Sequence, residues 1–157
     1  MQLTGKTEDE SFNLFQAIIE QAPDAMIYAD RSGTIRIWNR GAETVFGYAA
    51  EEVVGQNLDV IIPERFRRAH WDGFNKAIAA GQTRHSGKSM TTRSMHKNGN
   101  KLYVDMSFSL VKDPMGNVMG SLAIGRDCTA RHLVGDDEAA RVKFNQQSEH
   151  DSSPNGG

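Results

Sequence analysis

Residues 65–81, RFRRAHWDGFNKAIAAG, place a histidine where a helix of this pattern would bury an apolar side chain. Phe66, His70, Phe74, Ala77 and Ile78 recur at the spacing of one helical face, while Arg65, Arg67, Arg68, Asp72 and Lys76 fall off it. A neutral imidazole held on an apolar face can give its ring nitrogen to a metal. The competing reading is a core histidine whose nitrogens are met by backbone groups, the commoner fate of a lone histidine. Other chemistry is missing from the chain. It has no G-x-S-x-G, no glycine-rich phosphate loop and no H-E-x-x-H. The single cysteine, Cys128, follows Asp127, whose charge disfavours a thiolate, and no cysteine pair has metal-ligand spacing. The paired acids Glu51 and Glu52, and Asp136 and Asp137, lie in polar surroundings that fit ordinary solvated carboxylates. The sequence reads as a binding protein and not as an enzyme.

The elements that must position His70 follow from pattern. With 157 residues, 38% of them hydrophobic, and a net charge of −2, the chain fits one core with loose ends and offers no case for a nucleic-acid partner. No apolar run reaches the roughly 18–20 residues of a membrane span, and MQLTGKTEDE lacks the basic-then-apolar order of a leader, so a cytoplasmic location is expected. Residues 1–8 read as flexible. Phe12, Phe15, Ile18 and Ile19 give an amphipathic helix over 9–21 that stops before Pro23. AMIYADRSGTIRIWN reads as a hairpin turning at Gly33. Asn39 caps the helix that follows, and Gly47 ends it. After the His70 helix a third strand covers roughly 85–96. NKLYVDMSFSLV alternates strictly, with Leu102, Val104, Met106, Phe108 and Leu110 on one face. A last strand, VMGSLAIGRD, leads to a short helix capped by Thr129. Beyond it, a tail rich in Ser, Pro, Asn and Gly cannot bury enough apolar area to order itself.

The run from PDAMIYADRSGTIRIWNRGAETVFGY through EEVVG, IIPERF, the KNG turn and RDCT resembles a PAS domain of the bacterial S-box type, over about residues 12–131. The resemblance implies an α+β fold with a five-stranded antiparallel sheet in order 2-1-5-4-3, helices packed on one face and a small cavity beneath them. It sets a sensor domain at 22–131, preceded by the 9–21 helix and followed by a short helix and polar tail at 132–157. It implies sensing or dimerisation more than catalysis. The output is not written in the sequence, which fits a standalone protein acting by association, through some downstream signalling protein, or an input domain cut from a longer chain.

Within that family the haem-binding branch carries its proximal histidine on the longest helix, eleven residues before a glycine, and His70 stands eleven residues before Gly81. The resemblance therefore implies haem b, with His70 as the iron ligand and Phe74, Ile78, Val104 and Phe108 lining its pocket. Met106 falls where it could supply a sixth ligand, and Met90 and Met95 are rivals for that role. Trp71 packs at the helix edge or flanks the cofactor. His85 lies near a propionate-holding position, where Arg67 or Arg68 adds charge. An arginine that in oxygen sensors meets bound dioxygen is replaced here by Thr91, with Arg93 two residues away. Carbon monoxide, nitric oxide or redox state therefore fits as well as oxygen. A cavity without cofactor, or one holding a small metabolite, is the alternative, with noncovalent flavin behind it. GQNLDVII has no cysteine, which excludes covalent flavin photochemistry. The apolar stripe of 9–21 implies a homodimer through that helix.

Overall fold

The computed structural model describes residues 8–136 and 138–139. In chain order these form α1 (Glu8–Gln21), β1 (Ala25–Asp30), β2 (Ile35–Trp38), α2 (Arg40–Phe46), α3 (Ala50–Val53), a 3-10 turn at Leu58–Val60, α4 (Glu64–Ala80), β3 (Ser89–Met95), β4 (Lys101–Lys112) and β5 (Val118–Asp127). A final helix, α5, takes residues 129–136. The strands form one sheet in the order β2-β1-β5-β4-β3, every neighbouring pair antiparallel. The expected flexible start and polar tail lie outside the described residues, apart from Glu8, which opens α1.

Local chemistry explains the frame. The β1–β2 turn is tied by Asp30, whose Oδ1 accepts from the Ser32 hydroxyl at 2.6 Å and from the Ser32 and Thr34 amides at 3.0 and 3.1 Å, while Oδ2 pairs with Arg36 at 2.8 Å. The Ser32 hydroxyl above all holds the Asp30 carboxyl down at about 2; burial opposes it, and Arg36 and the two amides add to the lowering. Gly33 completes this turn with a φ of 81°, which a side chain would strain. At the next junction Asn39 is almost fully buried. Its Oδ1 accepts from Met26 and Ala42, and its amide donates to the carbonyls of Ile19, Ala22 and Asp24, so one residue ties α1, β1 and α2 together.

The alternation of β4 is borne out by its burial. Leu102, Val104 and Met106 are buried, and they join Ala25, Ile27, Ile35, Trp38, Phe46 and Ile61 in a core between the sheet and the helices. Two expectations change. The third strand starts at Ser89 and not at 85, because a turn comes first, closed by the Lys88 amide donating to His85 O. Thr129 does not cap α5: its hydroxyl accepts from the Tyr103 amide at 2.9 Å, and the Asp127 carboxylate receives the Thr129 N–H at 2.8 Å instead.

Candidate functional site

The inner face of α4 keeps His70, Phe74, Ala77 and Ile78 of the expected stripe, all half-buried, and departs from it only in the first turn. Phe66 is exposed, with the Arg65 guanidinium 4.5 Å above its ring, and Arg67 and Trp71 come inward. The cause lies in the preceding loop. Arg67 donates to the carbonyls of Ile62 and Asp59 at 3.1 and 3.2 Å, and Trp71 Nε1 donates to Asp59 Oδ1 at 2.8 Å. These bonds fix the rotation of the helix more firmly than an apolar contact by Phe66 would. They also use the Arg67 guanidinium on the loop. The far edge of the Trp71 ring abuts Gly33, where any Cβ would collide with it.

His70, Trp71 and Phe74 form an aromatic cluster on this face. The His70 ring meets Trp71 edge-on at 4.8 Å and lies 5.9 Å from Phe74, which itself meets Trp71 at 5.2 Å. Trp71, Phe74 and Phe108 pack against the core that holds Val104 and Met106. His70 Nδ1 is buried and has no hydrogen-bond partner. Burial pushes the His70 pKa below its ordinary 6.5, and the Asp59 carboxylate opposes the shift without cancelling it. The imidazole is thus neutral at pH 7, with a nitrogen that no backbone group satisfies. A neutral imidazole of this kind can ligate a metal, and it also fits a histidine that packs with Trp71 and Phe74 at the helix face.

The remaining residues divide. Ile78 is half-buried on the His70 face of α4. Met90 is the cross-strand partner of Met106, so both share the inner face of the sheet. Met95 falls on the opposite face with Lys101, away from the core. His85 and Arg68 are exposed, His85 in the turn before β3. Thr91 and Arg93 belong to the outer face, Thr91 donating to Asp105 at 2.6 Å and Arg93 lying over the Tyr103 ring. The inner positions of β3 are therefore Met90, Thr92 and Ser94, with no cation among them.

Sequence reasoning missed a second region. A groove of about 580 Å³ opens on the outer face of the sheet, lined by Asp24, Ser89, Asp105, Ser107, Arg126 and Arg131 among others. Asp105 is its hub, accepting from Thr91, Arg131 and the Cys128 thiol. Burial, then the Asp105 carboxylate, pushes that thiol up, so Cys128 is a poor nucleophile. The only hint in the sequence is the run of polar residues at alternate positions of β4. Among the described residues no three His, Cys, Asp or Glu side chains gather as a metal site, and no helix is long and apolar enough to cross a membrane.

A family model for the PAS fold matches residues 13–128. Among curated proteins the chain is similar to the oxygen sensor protein DosP of Escherichia coli, 28% identical over 129 residues, covering 82% of this chain and 16% of that protein. It is also similar to the sensor protein FixL of Bradyrhizobium diazoefficiens, 38% identical over 55 residues, covering 35% of this chain and 11% of that protein. The chain spans less than a fifth of either relative. Among solved structures it is similar to the PAS domain of a Colwellia psychrerythraea protein, with a TM-score of 0.66 and 22% identity over 76% of this chain and 98% of the other. An RNA-binding light-oxygen-voltage receptor matches with a TM-score of 0.70 and 20% identity, over 92% of this chain and 40% of the other. The two structural likenesses bear on fold alone. The family model covers most of the chain and the sheet has the order expected of it, so this chain belongs to the PAS family and is a signal-sensing domain of that fold.

Proposed function

We propose that this domain senses a diatomic gas or redox state through haem b, with His70 as the proximal iron ligand. One observation carries the reading: a half-buried, neutral imidazole with an unmet, buried Nδ1, on the inner face of the longest helix. Haem, held by His70, would supply an exchangeable ligand position and a one-electron couple. The chain's own residues do the rest. Phe74 packs beside the imidazole, Ile78, Val104 and Phe108 would line the rest of the haem pocket, and the lowered pKa of His70 leaves one ring nitrogen without a proton at neutral pH. Met106, with Met90 beside it, offers a soft thioether as the distal ligand. Arg68 would supply charge and His85 a ring N–H for propionates, and Trp71 flanks the histidine. With no cation on the inner face of β3, an uncharged ligand or a redox change suits the site at least as well as dioxygen. A relative named as an oxygen sensor keeps oxygen in view.

The test is a haem titration of the purified chain followed by absorption. A sharp Soret band is expected at one haem per chain. In the ferrous state Met106→Leu is expected to convert a six-coordinate low-spin spectrum to a five-coordinate high-spin one. An unchanged ferrous spectrum would move the sixth ligand to Met90, and a yellow flavin spectrum in untreated protein would replace haem altogether.

A second reading, a domain without cofactor that acts by association, draws on α1. Leu14, Phe15 and Ile18 stay exposed along that helix, a stripe that the matching helix of a second copy would cover in a homodimer through residues 9–21. The two readings are compatible, because dimerisation leaves His70 untouched.

A further inference from the structure

The sheet ends at β3, and this edge is open. Tyr103 turns both backbone groups away from β3: its amide donates to Thr129 Oγ1, and its carbonyl accepts from the Cys128 amide. Arg93 is the cross-strand partner of Tyr103, so the two form a pair that exchanges no hydrogen bonds, and the N–H and C=O of Arg93 point outward from the sheet. The period of two gives Thr91 and Ser89 the same outward direction. Met95 belongs to this set as well, and its N–H is taken by Ile61 O at 3.0 Å. Among the described residues nothing takes the outward groups of Ser89, Thr91 and Arg93, and Ser89 and Thr91 are exposed. Open edges of this kind are usually blocked by proline, a bulge or a covering loop. The β2 edge of the same sheet is blocked, its Ile35 amide and carbonyl bonded to Gln56 and Gly55.

The side chain at the same place is also unfinished. Arg93 Nε and Nη1 are buried without a hydrogen-bond partner, although the guanidinium lies over the Tyr103 ring. The nearest acid on this face, Asp105, is already held by Thr91, Arg131 and Cys128. Lys88 precedes the strand and Arg84 lies in the turn before it, so the edge is basic.

We propose that β3 binds an extended segment of a partner polypeptide as a sixth strand, along Ser89–Arg93, with an acidic residue of that segment opposite Arg93. A residue directly opposite Arg93 shares its face, with Cβ atoms about 5 Å apart, so a carboxylate there lies beside the guanidinium and meets its unpaired N–H donors once the side chain turns from the Tyr103 ring. Ser89, Thr91 and Arg93 supply the backbone bonds that hold such a strand. A second copy of this chain paired edge to edge would instead bring Lys88 and Arg93 of each copy close to those of the other, a like-charge arrangement that disfavours self-pairing.

The probe is acetyl-Thr-Val-Glu-Val-Thr-amide, titrated into the full chain and followed by amide nuclear magnetic resonance and hydrogen exchange. The amides of Ser89, Thr91 and Arg93 are expected to shift and gain protection. The same probe with lysine in place of glutamate should bind about tenfold more weakly, and Arg93→Gln should remove that preference. Thr91→Pro offers a check that spares the sheet, since its lost N–H belongs to the open edge and not to the β4 ladder; it should abolish binding of the glutamate probe. Equal affinity for both probes, or no change at these three amides, would overturn the proposal. So would protection of the edge that rises with protein concentration alone, which would assign the edge to a second copy.

Discussion

His70 was legible as a residue, because helical periodicity alone set it on an inner face. Its unmet nitrogen was not, since that depends on which backbone groups the fold brings near. A buried polar atom without a partner costs about 1–3 kcal/mol. His70→Leu is therefore expected to leave the cofactor-free protein as stable as before, or about 1 kcal/mol more stable, in urea denaturation. A loss above about 2 kcal/mol would mean that the imidazole is there for packing. Asn39 shows the opposite case. Its capping role could be read from the sequence, but the carbonyls of Ile19, Ala22 and Asp24 come from chain far enough away that only the fold assembles them. Asn39→Ala is expected to lose about 2–4 kcal/mol, since it leaves several groups unpaired at a buried junction. A loss under 1 kcal/mol would show that water replaces the amide.

Among the elements, those with a strict period were the most readable. β4 alternates without a break, and its burial follows that alternation. The start of β3 is hard to read because SGKSMTTRSM has only two apolar residues, Met90 and Met95, whose spacing of five carries no strand period. Periodicity placed His70, Phe74, Ala77 and Ile78 of α4 but missed Arg67 and Trp71, because these two answer to Asp59 and Ile62, five to twelve residues upstream. The fit of that helix against the first hairpin gives a sharp test. Gly33→Ala must place a Cβ both at a left-handed φ of 81° and inside the Trp71 ring, so a loss of about 2 kcal/mol or more is expected in thermal unfolding. The same hairpin carries a pH signature. Because the Asp30 carboxyl is held at about 2 in the fold against 3.8 ordinarily, its contribution is complete above 3.8 and disappears as pH falls from 3.8 towards 2. Asp30→Asn should flatten stability across that window by about 1 kcal/mol, allowing for solvent screening. A wild-type curve already flat there would remove Asp30 from the account.

At the scale of the whole molecule, the sheet order came from the family resemblance, and the structure bears it out. The outer groove and the open β3 edge were invisible in the sequence, because they depend on strand order and on the side to which amides point. Of the stripe expected on α1, Phe15 and Ile18 are exposed and Ile19 is half-buried, and the assembly is testable: sedimentation at tens of micromolar should show a dimer that Phe15→Glu with Ile18→Glu converts to monomer. A wild-type monomer at that concentration would leave α1 for another partner. The central claim, that His70 binds iron, is most directly tested by a vacancy and its rescue. His70→Gly, mixed with haem, is expected to lose the Soret band of the wild-type complex and to regain it when free imidazole is added, because the small base re-enters the space the side chain has left. Equal haem uptake by wild type and His70→Gly, with no response to imidazole, would contradict the account.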